Sequence, residues 1–209
     1  MRDPRAYKDP KYDNRKGYGL YYWHDGYIEI AKQLIRRFKI FKFLELGCAK
    51  GFLVQAMRMI GVEAYGVDIS EYAVANCHPE MKKYIMQGDA TELGIFEDCY
   101  FDLVFSWDFL EHLKSEEILR CLIECRRVSD KYIYHGITVF DKNYGSIAKH
   151  FPNEPQDPTH VSCYNINWWR KIFREVFADK EIIEFKLQDN AFASGNKRRA
   201  QLEAVICIK

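Results

Sequence analysis

Apolar residues follow two rhythms along the chain. Ile28, Ala31, Leu34, Ile35 and Phe38 share one helical face and predict a helix over 27–38. FKFLELG (41–47) is a short apolar run closing on glycine, the pattern of a buried parallel strand. GFLVQAMRMI (51–60) then predicts a helix stopped by Gly61, VEAYGVD (62–68) a second strand, and SEYAVANC (70–77) a short helix with Ser70 as N-cap. KYIMQGD (83–89) and FDLVFSW (101–107) predict the third and fourth strands. SEEILRCLIECRRV (115–128) predicts a helix capped by Ser115, with Glu116 and Glu117 in its first turn, and KYIYHGITV (131–139) a fifth strand. Such alternation predicts βαβ units and a parallel sheet with helices on both faces. Beyond Val139 the pattern breaks into a long polar stretch holding Pro152, Pro155 and Pro158, too long to be a simple connection. NINWWRKIFREVF (165–177) resumes as a helix. EIIEFKLQ (181–188) and QLEAVICIK (201–209) predict an antiparallel hairpin at the sheet edge, turning near Ser194–Gly195–Asn196.

Composition narrows the function classes. With 209 residues and 48% hydrophobic content the chain is expected to be one ordered domain. The net charge of +1 argues against a strongly basic nucleic-acid protein or an acidic tail. No run approaches the ~20 apolar residues of a membrane span, and the charged N-terminus lacks the apolar core of a signal peptide. The seven cysteines form no CxxC pair, so free thiols in a reducing, cytoplasmic setting are expected, and no metal site. The aromatic share, 15%, is high enough that some rings are expected to line a pocket.

The candidate chemistry lies at strand ends. E-L-G-C-A-K-G (45–51) is a strand-to-helix turn whose glycines permit positive φ and close approach of a ligand to the backbone. Dinucleotide binding in G-x-G-x-x-G form would need glycine where Ala49 and Phe52 stand, so a pyrophosphate fits poorly. Asp68 ends the second strand, where a carboxylate can accept both hydroxyls of a ribose. Asp89 ends the third, where it can accept from an exocyclic amine such as adenine's. Ser106, Trp107 and Asp108 end the fourth. Four consecutive strand ends thus offer a glycine turn, two acceptors and an aromatic wall.

With ELGCAKG (45–51), GVDIS (66–70), GDAT (88–91) and FDLVFSWDFLEHL (101–113), the chain resembles the class I S-adenosylmethionine-dependent methyltransferases, most closely the Rossmann-like type 11 group. The resemblance spans roughly residues 26–209. It implies an α/β fold with a doubly wound, mostly parallel seven-stranded sheet, the last strand antiparallel and helices on both faces. It implies S-adenosylmethionine as cofactor, with Glu45 and Gly47 near the methionine moiety and Gly51 packing the turn. Asp68 would bind the ribose, Asp89 the adenine amine, and Ser106 and Trp107 would flank the sulfonium. Cys48, Ile69, Ala90 and Tyr22 complete the expected contacts. The departure is Cys48–Ala49–Lys50, where the family often has a second central glycine.

Residues 1–25 are then expected to be an arm or lid carrying Tyr21, Tyr22 and Trp23, and residues 26–209 one methyltransferase domain with an acceptor-side loop at about 140–165. The expected reaction is methyl transfer to oxygen or nitrogen of a small-molecule acceptor; the alternative is a non-catalytic S-adenosylmethionine-binding module or regulatory subunit. An oxygen acceptor usually needs a general base and a neutral amine little help. His160, after the long loop, and His135, in the fifth strand, are the base candidates, although His160 could instead position the substrate or brace the loop. His112 is expected to cap or pack the start of its helix. Tyr144, Phe151, Tyr164, Trp168 and Trp169 are expected to shape the acceptor side, and Lys197–Arg198–Arg199 to be a solvated hairpin tip. Neither a membrane nor a nucleic-acid partner is expected.

Overall fold

The computed structural model describes residues 21–139, 159–162, 164–189 and 200–209. Most of the arm, the proline-bearing stretch, the hairpin tip and its Lys197–Arg198–Arg199 lie outside the described residues. The elements in chain order are α1 (Gly26–Phe38), β1 (Lys42–Leu46), α2 (Phe52–Met59), β2 (Glu63–Asp68), α3 (Glu71–Ala75), β3 (Ile85–Gln87), β4 (Phe101–Trp107), α4 (Ser115–Val128), β5 (Ser129–Thr138), α5 (Ile166–Val176), β6 (Glu181–Asp189) and β7 (Ala200–Cys207). Short 3₁₀ turns stand at Pro79–Met81 and Leu110–His112.

The strands form one seven-stranded sheet in the order β3-β2-β1-β4-β5-β7-β6. β1 through β5 pair in parallel, and β7 inserts antiparallel between β5 and β6. The strand order reverses between β1 and β4, which opens the crevice where α/β sheets of this kind bind ligands. The two-residue pleat sorts each strand's side chains between two cores. Leu44, Leu46, Val104, Ile133 and Ile137 face one core with Trp169 and Phe173 of α5 and Ile118 and Leu122 of α4. Phe43, Leu103, Phe105 and Tyr134 face the other, with Leu34 and Phe38 of α1 and Leu53 and Met57 of α2. Each such large apolar side chain contributes about 1.5–3 kcal/mol by leaving water, so the helices are held to the sheet mainly by these two faces. Arg126 of α4 adds a polar tie, donating to the Val176 carbonyl at 2.6 Å and to Asp179 at 2.8 Å, where the carbonyls at the end of α5 lack helical partners.

Local details follow the sequence with two adjustments. Ser70 caps α3 as expected, accepting from Ala73 N at 3.2 Å. α4 instead takes Lys114 as its capping position: Glu117 reaches back to accept from Lys114 N at 2.9 Å, and Ser115 is the first helical residue. The third strand is shorter than its apolar pattern, because Tyr84 N is turned to Met81 O at its start. Among the described residues no helix is long and apolar enough to cross a membrane.

Candidate functional site

The β1–α2 turn is built around three left-handed residues, Gly47 (φ 68°), Ala49 (φ 49°) and Gly51 (φ 70°). Glycine is required at both ends for lack of space as well as for φ. A Cβ on Gly47 would stand 2.5 Å from the Phe109 ring, and one on Gly51 1.9 Å from Ile85 Cδ1. Ala49 carries a side chain in the same region and is held there by Asp68, whose Oδ2 accepts from Ala49 N at 2.7 Å while Oδ1 accepts from Ser70 N at 2.8 Å. One carboxylate at the end of β2 therefore clamps the turn after β1 and the start of α3. Each of its oxygens retains acceptor capacity beyond these bonds.

Glu45 is buried on the α1–α2 face of β1, and its Oε2 has no hydrogen-bond partner. Burial, then the Asp68 charge, pushes its carboxyl well above the usual range. An orphaned buried oxygen beside a flexed glycine turn calls for a donor from a ligand, because leaving it unmatched costs about 1–3 kcal/mol. Cys48 is also buried, but its sulfur lies against Gly66, where a Cβ would meet it at 2.6 Å, and burial raises its thiol pKa well above normal. Asp89 is half-buried at the end of β3 with Oδ1 accepting from Thr91 N at 2.9 Å; Ala90 beside it is buried and Ile69 half-buried. Trp107 is half-buried, with its ring over Gly136, where a Cβ would meet it at 2.3 Å.

Of the two tyrosines before α1 among the described residues, Tyr21 lies over this turn. Its ring stacks on Phe52 at 5.0 Å and its carbonyl accepts from Lys50 Nζ at 3.2 Å. Burial and the Glu45 carboxyl raise its phenol pKa, so it stands beside Glu45 as a neutral hydroxyl. Tyr22, the residue singled out from the sequence, is 69% exposed.

Ser106 and His135 meet across β4 and β5, with Oγ and Nδ1 2.7 Å apart and neither residue exposed. His135 Nε2 has no partner, and burial pushes the ring pKa down to about 3. The imidazole is thus neutral and closed to solvent.

His160 is brought elsewhere, to the 3₁₀ turn after β4. Val161 N and Ser162 N both donate to the Glu111 carbonyl, at 3.0 and 2.9 Å, which lays the segment after the long loop against Leu110–His112. The His112 and His160 rings meet edge to face at 4.6 Å. Glu111 is fully buried beneath them; its Oε1 accepts from Thr138 N at 2.9 Å and its Oε2 has no partner. Asp108 Oδ1 accepts from Thr138 Oγ1 and from Gln201 Nε2, each at 2.9 Å. Phe109, between Asp108 and the 3₁₀ turn, is the ring packed on Gly47, so this polar centre adjoins the glycine turn. Sequence reasoning passed over Glu111, named Tyr21 only within the arm and put Tyr22 at the site instead, and read His112 as capping or packing the start of its helix. The available signal was the adjacent Glu–His pair in L-E-H-L at a strand end, which becomes informative only once His160 is known to lie against it.

Residues 44–131 match the family described as a methyltransferase domain. No protein of curated function matches the sequence. Among solved structures, a Pyrococcus horikoshii OT3 protein is 20% identical, with a TM-score of 0.66 over 98% of this chain and 99% of its own. A SAM-dependent methyltransferase from Archaeoglobus fulgidus is 20% identical, with a TM-score of 0.64 over 96% and 99%. The magnesium protoporphyrin IX methyltransferase of Synechocystis PCC 6803, solved with bound SAH, is 19% identical, with a TM-score of 0.62 over 87% of this chain and 82% of its own. At these identities the likeness shows a shared fold.

Proposed function

We propose that the chain, whose residues 44–131 match the methyltransferase-domain family and whose sheet has the strand order of a class I, Rossmann-like fold, binds S-adenosylmethionine and transfers its methyl group to oxygen or nitrogen of a small molecule. The observation that carries this reading is the Asp68-clamped turn at the strand-order switch, with the orphaned Glu45 Oε2 beside it. The donor set fits the cofactor. Asp68 would accept the ribose hydroxyls with its remaining lone pairs, Glu45 the amino group of the methionine moiety, and Asp89 the adenine amine. Gly47 and Gly51 would allow the backbone approach that a side chain would block, with Cys48, Ile69 and Ala90 packing around it. Trp107 would stand on the methyl side, whereas the Ser106 hydroxyl, expected there from the sequence, is fully buried against His135. Tyr21, rather than the exposed Tyr22, would close the arm over the turn.

When bound, the cofactor supplies a methyl group on an electron-poor sulfur. The chain's part is to align the acceptor and exclude water. The acceptor side is assigned to the polar centre around His160, because it adjoins the glycine turn through Phe109. His135 is withdrawn as a base, since a buried ring with a pKa near 3 neither reaches an acceptor nor holds its proton near neutral pH. The test is a mass-spectrometric screen of the purified chain with S-adenosylmethionine against hydroxyl and amine metabolites. The reading expects an acceptor heavier by one methylene and abolished by His160→Asn. Cofactor binding without any methylated product across such a library would favour the non-catalytic binding module.

A further inference from the structure

We propose that Glu111, His112 and His160 form a binding site for a divalent first-row transition metal on the acceptor side of the cofactor crevice. The site deepens the methyltransferase reading and rests on it for its role, though not for its existence. One ligand atom from each of the three residues lies within 4.8 Å of the others, close enough to share one ion. Two imidazoles and one carboxylate make an N₂O set, suited to zinc, iron, cobalt or manganese and poor for magnesium or calcium, which prefer oxygen.

Three features set the cluster apart from a chance meeting of polar groups. The first is the fully buried Glu111, whose Oε1 is anchored on Thr138 N while Oε2 is left without any partner. A buried carboxylate oxygen with no donor is costly in an empty site and expected in a ligand. The second is charge. Glu111 Oε1 and Asp108 Oδ1 both accept from Thr138, through its N–H and its hydroxyl, so two carboxyl groups meet at one residue, and among the described residues no Lys or Arg pairs with either. A cation supplies the missing compensation. The third is the outer shell. His112 Nδ1 stands 2.8 Å from Thr159 Oγ1 and 3.2 Å from the Thr159 carbonyl. With Nδ1–H donating to that carbonyl, Nε2 would carry the lone pair, which is the tautomer a metal takes. Thr138 likewise fixes Glu111 through its N–H and Asp108 through its hydroxyl.

The segment holding His160 is docked by Val161 N and Ser162 N on the Glu111 carbonyl, so the third ligand is fixed to the same turn that supplies the other two. Three protein ligands leave open positions for water or for an oxygen of the acceptor. A hydroxyl held there is acidified by the ion and loses its proton to water, its oxygen keeping the electron pair. His160 then serves as a ligand instead of the base, and an oxygen acceptor becomes the natural substrate class. This departs from the expectation, drawn from scattered cysteines, that the chain holds no metal.

The full chain, stripped with chelator, is titrated with Co²⁺ and followed by its visible absorption, while S-adenosylhomocysteine binding is measured separately by calorimetry. One Co²⁺ per chain is expected, with bands of histidine and carboxylate ligation. Glu111→Gln and His160→Asn should each weaken it at least tenfold and leave S-adenosylhomocysteine affinity within about twofold. Thr159→Val, which spares all three ligands, should weaken Co²⁺ about tenfold through the outer shell and covers the case in which a ligand variant misfolds. No saturable Co²⁺ binding, or binding that none of the three substitutions changes, overturns the site. Co²⁺ binding in a chain that ignores S-adenosylhomocysteine would uphold the site and refute the methyltransferase reading instead.

Discussion

Replacing His135 with leucine separates a structural histidine from a catalytic one through the pH dependence of stability. An exposed histidine titrates near 6.5, whereas burial holds His135 at about 3. Between those values the unfolded chain binds a proton at this residue and the folded chain does not, so folding is penalised as the pH falls. The contribution is fully present above 6.5 and is lost progressively toward 3. At pH 5 the loss from this one residue is RT ln(1 + 10^1.5), or about 2 kcal/mol. Leucine fills a similar volume beside Phe173 without titrating, although it leaves the Ser106 hydroxyl without its 2.7 Å partner, which costs about 1–3 kcal/mol at any pH. Urea denaturation at pH 8 and pH 5 reads both effects. The variant should be less stable at pH 8, but its fall between pH 8 and pH 5 should be smaller than the parent's by about 2 kcal/mol. The buried acids Glu45 and Asp68 titrate in both proteins and cancel in the difference. An identical pH dependence would show that His135 takes up protons freely in the folded state, and would return it to the list of candidate bases.

Asp68→Ala should lower stability as well as cofactor affinity, because Ala49 N and Ser70 N each lose their acceptor, at about 1–3 kcal/mol apiece; an unchanged melting temperature would contradict the clamp. Asp68→Asn, which keeps one acceptor oxygen, should fold better than the alanine variant and weaken S-adenosylhomocysteine by about 10–100-fold through loss of charge-assisted bonds. Gly51→Ala forces a Cβ to within 1.9 Å of Ile85 at φ 70° and should destabilise by about 2–4 kcal/mol, with Ile85→Val relieving part of it in thermal melts. Burial raises the Glu45 carboxyl pKa in the free protein, and pairing with the cofactor's ammonium should lower it. Affinity should then rise with pH, by at most about tenfold per unit, and calorimetry in buffers of different ionisation heat should register the proton release.

The sheet was legible because its parallel strands are buried on both faces and so read as short apolar runs closing on Gly or Asp, as in Phe43–Leu46 before Gly47 and Ala64–Val67 before Asp68. The antiparallel β6–β7 hairpin and the antiparallel last strand followed from the short connection and the resemblance together, but the insertion of β7 between β5 and β6 did not. Helix starts were less secure, since Ser115 and Lys114 compete for the cap of α4 and only Glu117's reach back to Lys114 N decides between them. The glycine turn and Asp68 were visible because turn and carboxylate lie in consecutive βα units. The Glu111–His112–His160 centre was not, because it depends on the backbone bonds of Val161 and Ser162 to Glu111, across a long segment with no pattern to fix its path. His135 was misjudged as a base for a related reason: a histidine in a strand shows its position but not its burial, and burial sets its charge.

Calorimetric titration of the full chain with S-adenosylhomocysteine, alongside NAD, tests the central claim most directly, because the product analogue needs no acceptor. The account predicts one micromolar site for S-adenosylhomocysteine, weakened by Asp68→Asn, and no heat with NAD, whose pyrophosphate the Gly47–Gly51 turn does not suit. Heat with NAD and none with S-adenosylhomocysteine would contradict it.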